Sequence, residues 1–202
     1  MKMRLIIATQ NQGKLREIKH ILRGIKIPIF CLNQLGKKFH IKENGKTFFE
    51  NAVKKTKPIS LAYKDDLVAG EDSGLVVDYL GGKPGVFSKR YSGKNWTYHK
   101  NNLKILQELR GIERKKRKAH FVCFLVLIKN GKILKKIEGR LNGFIHNEIK
   151  GKHGFGYDPI FYLPEYKKTV AELTLQDKNK ISHRAKAFFT LRKILAKYAV
   201  IS

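Results

Sequence analysis

The feature that most constrains this chain is a change of hydrophobic period near its start. Residues 3 to 9, Met3-Arg4-Leu5-Ile6-Ile7-Ala8-Thr9, read as a buried strand, and Leu15, Ile18, Ile21 and Leu22 then recur at helical spacing with Gly24 as the stop. A strand feeding directly into an amphipathic helix needs a sheet with at least one covered face. That points to an α/β fold.

The rest of the chain extends this pattern. A helical run through Phe48, Phe49, Ala52 and Val53 starts at Thr47, with Glu50 as capping-box partner, and Pro58 is expected to kink or end it. From Leu67 to Tyr79 two short β-rich runs flank Glu71-Asp72-Ser73-Gly74, which places the acidic pair where a strand ends or bulges. A turn-rich loop, Leu80-Gly81-Gly82-Lys83-Pro84-Gly85, precedes a helix around Trp96 to Leu109. Strands near 119–128 and 132–139 form a hairpin about Asn130-Gly131. The loop from Gly151 to Gly156 leads into Tyr157-Asp158-Pro159-Ile160-Phe161, and an amphipathic helix runs from Ser182 to Tyr198. No repeat or long linker divides the chain, so its 202 residues are expected to make one α/β domain around a mixed, strongly twisted sheet flanked by helices.

The formal charge of +27 fits either a polyanion partner or a lysine-rich codon bias. Lysine recurs throughout, and only Arg114-Lys115-Lys116-Arg117-Lys118 forms a block, read as a solvated loop between helix and strand. No specific nucleic-acid partner is expected. The first apolar run is too short for a signal sequence and no stretch approaches a bilayer span, so a cytoplasmic protein without a membrane partner is expected. Cys31 and Cys123 lack metal-ligand spacing and read as buried free thiols.

Several segments carry candidate chemistry. Thr9-Gln10-Asn11-Gln12-Gly13-Lys14 lies between strand and helix, where it is either an anion-binding helix N-terminus or a simple capped turn; it is not a Walker A sequence. Only 16 acids accompany 43 Lys and Arg, so Glu71, Asp72 and Glu43 stand out either as hard oxygen ligands for Mg²⁺ or as partners of nearby lysines. Gly154-Phe155-Gly156-Tyr157-Asp158-Pro159 suits stacking on a base, or is a tight turn with Phe155 in the core. Ser182-His183-Arg184 offers donors beside a helix start, with Lys178 upstream, or Ser182 simply caps the helix. No serine occupies a nucleophile elbow, which removes a His183 triad.

Together these segments resemble the inosine/xanthosine triphosphate pyrophosphatase family over nearly the whole chain. Thr9 to Lys14 is similar to its phosphate-binding motif, Thr47-Phe48-Phe49-Glu50-Asn51-Ala52 to its second-helix signature, and Glu71-Asp72-Ser73-Gly74-Leu75 to its acidic motif. Gly82-Lys83-Pro84-Gly85-Val86-Phe87-Ser88, Gly154 to Phe161 and Ser182-His183-Arg184-Ala185 complete the order. The resemblance implies two lobes with a substrate cleft between them, a homodimer, Mg²⁺ as cofactor and a purine nucleoside triphosphate (ITP, dITP or XTP) as substrate. It implies that the segment Thr9, Gln10, Asn11, Gln12, Gly13 and Lys14, with Lys55, holds the triphosphate. By the same likeness Asp72 is the base that activates water, Glu43 and Glu71 help hold the metal, and Ser73 lies against the substrate. Phe155 stacks on the base, while Gly156, Tyr157, Asp158, Lys178, His183 and Arg184 complete its pocket. Many members carry two consecutive acids where this chain has Lys42-Glu43, and Asp-Asp where it has Glu71-Asp72.

Donors that meet a purine 6-oxo group would oppose a 6-amino group, so ATP is expected to be a poor substrate. The rivals are a related-fold pyrophosphatase acting on dTTP, UTP or modified nucleotides, and a basic nucleic-acid-binding module that binds without hydrolysis.

Overall fold

A computed structural model describes residues 3–198. Seven strands form one mixed sheet in the order β2-β1-β3-β4-β5-β6-β7: β1 Leu5–Ile7, β2 Ile29–Cys31, β3 Leu67–Val77, β4 Lys118–Lys129, β5 Lys132–Ile145, β6 Phe161–Leu163 and β7 Lys168–Thr169. The helices are α1 Gln12–Ile21, α2 Phe48–Ala62, α3 Tyr98–Glu108, α4 Leu175–Ile181 and α5 His183–Tyr198. β1 pairs in parallel with both β2 and β3, as helical crossovers require, whereas β5, β6 and β7 pair antiparallel.

The chain divides into two compact units. The first takes the residues up to Asp72, then Cys123–Gly139, and those from Arg184 on. Its sheet is buried on both faces. Leu5 and Ile7 of β1 join Leu15, Ile18 and Ile21 of α1 and Phe188, Leu191 and Leu195 of α5, while Ile6 and Ala8 point the other way, towards Ile59 of α2. Burying such aliphatic side chains contributes about 1.5–3 kcal/mol each. α2 lies close against β3, because Gly70 has no side chain: a Cβ there would come within 1.9 Å of Thr56 Oγ1.

The second unit holds Ser73–Val122 and Arg140–His183. Its core gathers Leu75 and Val77 of β3, Ile105 of α3 with Leu109 at its C-cap, Phe121 of β4, and Ile160 and Phe161 around β6.

Several expectations are met and others corrected. The hairpin turn is at Asn130-Gly131, both with positive φ (45° and 74°), as a type I′ turn demands. Thr47 caps α2 through Glu50 N, but the Glu50 carboxylate accepts from Lys46 N, one residue beyond the expected capping-box donor. Pro58 does not end α2, which continues to Ala62; it stands on the exposed side, where water reaches the Lys54 carbonyl that loses its donor. Glu71 and Asp72 lie in the middle of one continuous strand rather than at its end, because each carboxylate finds cations on its own face. Arg117 is buried rather than solvated, with its guanidinium on the Asn147 side chain, and Lys118 already belongs to β4. The final helix starts at His183, and α4, which carries Lys178, precedes it as a separate helix. Both cysteines are buried and free.

Candidate active site

Among the described residues the candidate side chains gather mainly in two clusters, one in each unit. In the first, the turn after β1 winds into α1. Thr9 Oγ1 accepts from Asn11 N at 3.2 Å, and Asn11 caps α1 by accepting from Lys14 N at 3.0 Å. Gln10 and Gln12 are exposed, while Thr9, Asn11, Gly13 and Lys14 are half-buried. The partial positive charge of the helix start favours an anion here, and the same turn of helix carries Lys14.

Alternation along β3 separates the acidic pair. Glu71 Oε1 lies 2.9 Å from Lys14 Nζ and 3.1 Å from Arg184 Nε. Arg184 Nη1 reaches Glu17 Oε2 at 2.6 Å, and the Cys123 thiol donates to Glu71 Oε2 at 3.7 Å. All of these side chains except Lys14 are fully buried. Burial alone would raise the Glu71 carboxyl, but Lys14, Arg184 and Lys55 outweigh it and hold it far below the usual carboxylate range. Burial and the Glu71 charge push the Cys123 thiol well up, so it stays protonated.

Asp72 faces α2. Its Oδ1 is 2.8 Å from Lys55 Nζ, and its Oδ2 accepts from Asn51 Nδ2 at 3.2 Å. Lys55 Nζ also donates to the Glu71 carbonyl at 3.2 Å and lies 3.4 Å from Glu43 Oε1. Burial would lower the Lys55 ammonium, but Asp72, Glu43 and Glu71 together raise it. Glu43 and Asp72 thus converge on a single cation. Among the described residues no three His, Cys, Asp or Glu side chains group as a metal cage. Two hard carboxylates gathered around one ammonium are the one or two carboxylates that Mg²⁺ takes from a protein when phosphates and water complete its shell.

The second cluster lies around the loop before β6. Asp158 Oδ2 accepts from Lys178 Nζ at 2.5 Å and from Phe155 N at 2.9 Å. The Lys178 ammonium sits over the Phe155 ring, 4.9 Å from its centroid, so a buried ion pair and an aromatic surface are held together. Gly154, at φ +76°, is needed for this closure, since a Cβ would fall 2.1 Å from Asp158 Oδ2. The buried Tyr157 hydroxyl donates to the Ser88 carbonyl at 2.8 Å, and burial keeps it protonated. Gly156 O accepts from Asn102 Nδ2 at 3.1 Å. His183 stacks on Phe121 with centroids 4.9 Å apart, and Ser73 is half-buried in β3.

A model of the Ham1 family matches residues 5–194. The chain belongs to the Ham1 family. It is 43% identical to the dITP/XTP pyrophosphatase of Caldanaerobacter subterraneus subsp. tengcongensis, covering 96% of this chain and 97% of that protein. It is 45% identical to the dITP/XTP pyrophosphatase of Bacillus subtilis, covering 94% and 96%. The solved structure of a HAM1 protein from Coxiella burnetii superposes with a TM-score of 0.87 at 37% identity, covering 96% of this chain and 99% of that one. The mixed seven-stranded sheet with flanking helices is the fold of this Ham1 relative.

Most of these residues are marked in the sequence, but several that organise them are marked weakly or not at all. Glu17 carries a signal: it is an acid at a helical position next to the apolar stripe of α1. Asn51 lies within the second-helix motif without an assigned role, and Asn102 gave no local signal. The segment from Gly82 to Ser88 turns out to support the aromatic loop, because Ser88 binds Leu75 N through Oγ and Tyr157 OH through its carbonyl.

Proposed function

We propose that this chain hydrolyses non-standard purine nucleoside triphosphates (ITP, dITP and XTP) to the nucleoside monophosphate and pyrophosphate, removing deaminated purines from the nucleotide pool. The observation that carries the reading is the convergence of Asp72 and Glu43 on the Lys55 ammonium, in a chain whose Ham1 relatives bear the name dITP/XTP pyrophosphatase.

In this reading Glu43 and Asp72 hold Mg²⁺, and Glu71, already engaged by Lys14 and Arg184, acts by fixing those cations. When bound, the metal supplies charge neutralisation on the phosphoryl oxygens and on the leaving pyrophosphate. Lys14, Lys55, Thr9, Asn11 and the backbone N–H groups opening α1 bind the triphosphate. Gln10, Gln12 and Gly13 shape the same turn. Asp72 orients a water in line with the α-phosphate and takes its proton at a carboxylate oxygen, while Asn51 and Lys55 hold that carboxylate in place.

Phe155 stacks on the purine, with Gly156, Tyr157, Asp158, Lys178, His183 and Arg184 as the remaining base-side residues and Ser73 against the substrate. A donor set facing the 6-oxo position disfavours adenine by about 1–3 kcal/mol. We read the chain as one catalytic domain acting in a homodimer in the cytoplasm. No described helix is long and apolar enough to cross a membrane.

Product analysis tests the reaction. Incubation of ITP with the protein and Mg²⁺ should yield inosine monophosphate and pyrophosphate in equal amounts. Inosine diphosphate with orthophosphate, or hydrolysis undiminished by EDTA, would contradict the proposal.

A further inference from the structure

The loop that carries Phe155 closes on itself through Asp158, which accepts from Phe155 N, but offers few side chains to pack. Gly151, Gly154 and Gly156 all adopt left-handed φ, and glycines offer no side chains to pack. Further support comes from neighbours in the second unit: Lys178 of α4, over the Phe155 ring, and α3.

Tyr98 and Asn102 are one turn apart, at i and i+4, and so share a face of α3. Both reach the same loop. The Tyr98 ring meets the Phe155 ring with centroids 6.1 Å apart and planes tilted by 47°, a contact that does not lie flat on it. The buried Asn102 amide donates to the Gly156 carbonyl. Trp96, just before the Thr97 cap of α3, backs Tyr98 at 5.7 Å, with Lys89 over the indole. Asn101 extends the support: its amide donates to the carbonyls of Lys89 and Ser88, and its Oδ1 accepts from Ser92 N. The Ser88 carbonyl is the one that receives Tyr157 OH.

We propose that the first turns of α3 position the base platform, with Tyr98 and Asn102 as positioning residues that set the Phe155 ring and the Gly156 backbone and thereby the affinity for the purine. The inference rests on the reading of Phe155 as the stacking surface. Neither residue is a catalytic residue, and neither belongs to the cluster around Asp72. Their loss therefore weakens recognition of the base and leaves the phosphate chemistry intact.

The test is steady-state pyrophosphate release from ITP by the full chain carrying Tyr98→Ala, Asn102→Leu, Tyr98→Phe or Phe155→Ala, with inorganic tripolyphosphate as a competing probe of the phosphate cluster. Tyr98→Ala and Asn102→Leu should each raise KM about tenfold, equivalent to about 1.4 kcal/mol. Their kcat should stay within about twofold of the parent and inhibition by tripolyphosphate should be unchanged. Tyr98→Phe, which keeps the ring, should restore the parent KM. Tyr98 is more than a third exposed, so Tyr98→Ala is expected to fold even if Asn102→Leu does not. An unchanged KM in Tyr98→Ala, or tripolyphosphate inhibition weakened in parallel with KM, overturns the proposal. If Phe155→Ala raises KM while the α3 variants do not, the proposal alone fails. If Phe155→Ala also leaves KM unchanged, the stacking role it rests on fails with it.

Discussion

Glu71 and Asp72 are consecutive in one strand, and their carboxylates meet cations on opposite faces of it. Glu71 turns to Lys14 of α1 and Arg184 of α5, and Asp72 turns to Lys55 and Asn51 of α2. The strand's two-residue period thereby gives two adjacent acids different work: a buried electrostatic anchor on one side, and a carboxylate that shares its cation position with Glu43 on the other.

The Asp72 face predicts a loss of chemistry without loss of binding. Asp72→Asn keeps the shape and one hydrogen-bonding oxygen but removes the proton acceptor, and turnover of ITP should fall by about 10²–10⁴-fold. Nucleotide binding measured by calorimetry should largely survive. Turnover retained near the parent level would remove Asp72 from the role of base.

The Glu71 face predicts a stability effect instead. Glu71→Gln leaves Arg184 and Lys14 facing a neutral group in a buried site, and unfolding free energy from urea titration should drop by about 3–5 kcal/mol at neutral pH. Because the folded-state Glu71 carboxyl is depressed, its contribution is fully present above the ordinary carboxylate range and is lost as pH falls from there towards the folded value. The gap between parent and variant should therefore be widest near neutrality and shrink on acidification. A gap that widens towards acid would contradict the ion-pair account.

Much of this was legible in the sequence, and the gaps have physical causes. Strand β1, helix α1 and the Asn130-Gly131 hairpin follow from period and turn chemistry, which are local. The continuity of β3 through Glu71 and Asp72 was not legible, since two charges in a buried strand are tolerable only with Lys14, Lys55 and Arg184 in place. Those partners come from distant parts of the chain. Pro58 shows a related dependence, because whether a helix continues past a proline depends on which side faces water. Glu17 and Asn102 matter through contacts made more than fifty residues away along the chain, with Arg184 and Gly156 respectively.

The aromatic loop yields a prediction at Gly154. A methyl group there collides with the Asp158 carboxylate and must also adopt a left-handed φ. Gly154→Ala should displace Asp158 from Phe155 N and raise KM for ITP by about tenfold or more, with a much smaller change in kcat. An unaltered KM would show that the loop's closure is irrelevant to substrate affinity.

Lys178 provides a complementary case. Lys178→Met keeps the bulk near Phe155 but strands a buried Asp158 carboxylate, an arrangement that costs about 3–5 kcal/mol when one partner of a buried pair is removed. Both the melting temperature and the affinity for ITP should fall. Replacing the pair together, as Asp158→Asn with Lys178→Met, should recover much of the stability but not the affinity. Recovery of both would assign the pair a purely structural role.

The central claim is best tested by measuring pyrophosphate release from ITP, dITP, XTP, ATP, GTP and dTTP, each with Mg²⁺ and with EDTA. Metal-dependent release confined largely to ITP, dITP and XTP is the predicted result; a preference for dTTP, or no release from any nucleotide, would contradict the claim.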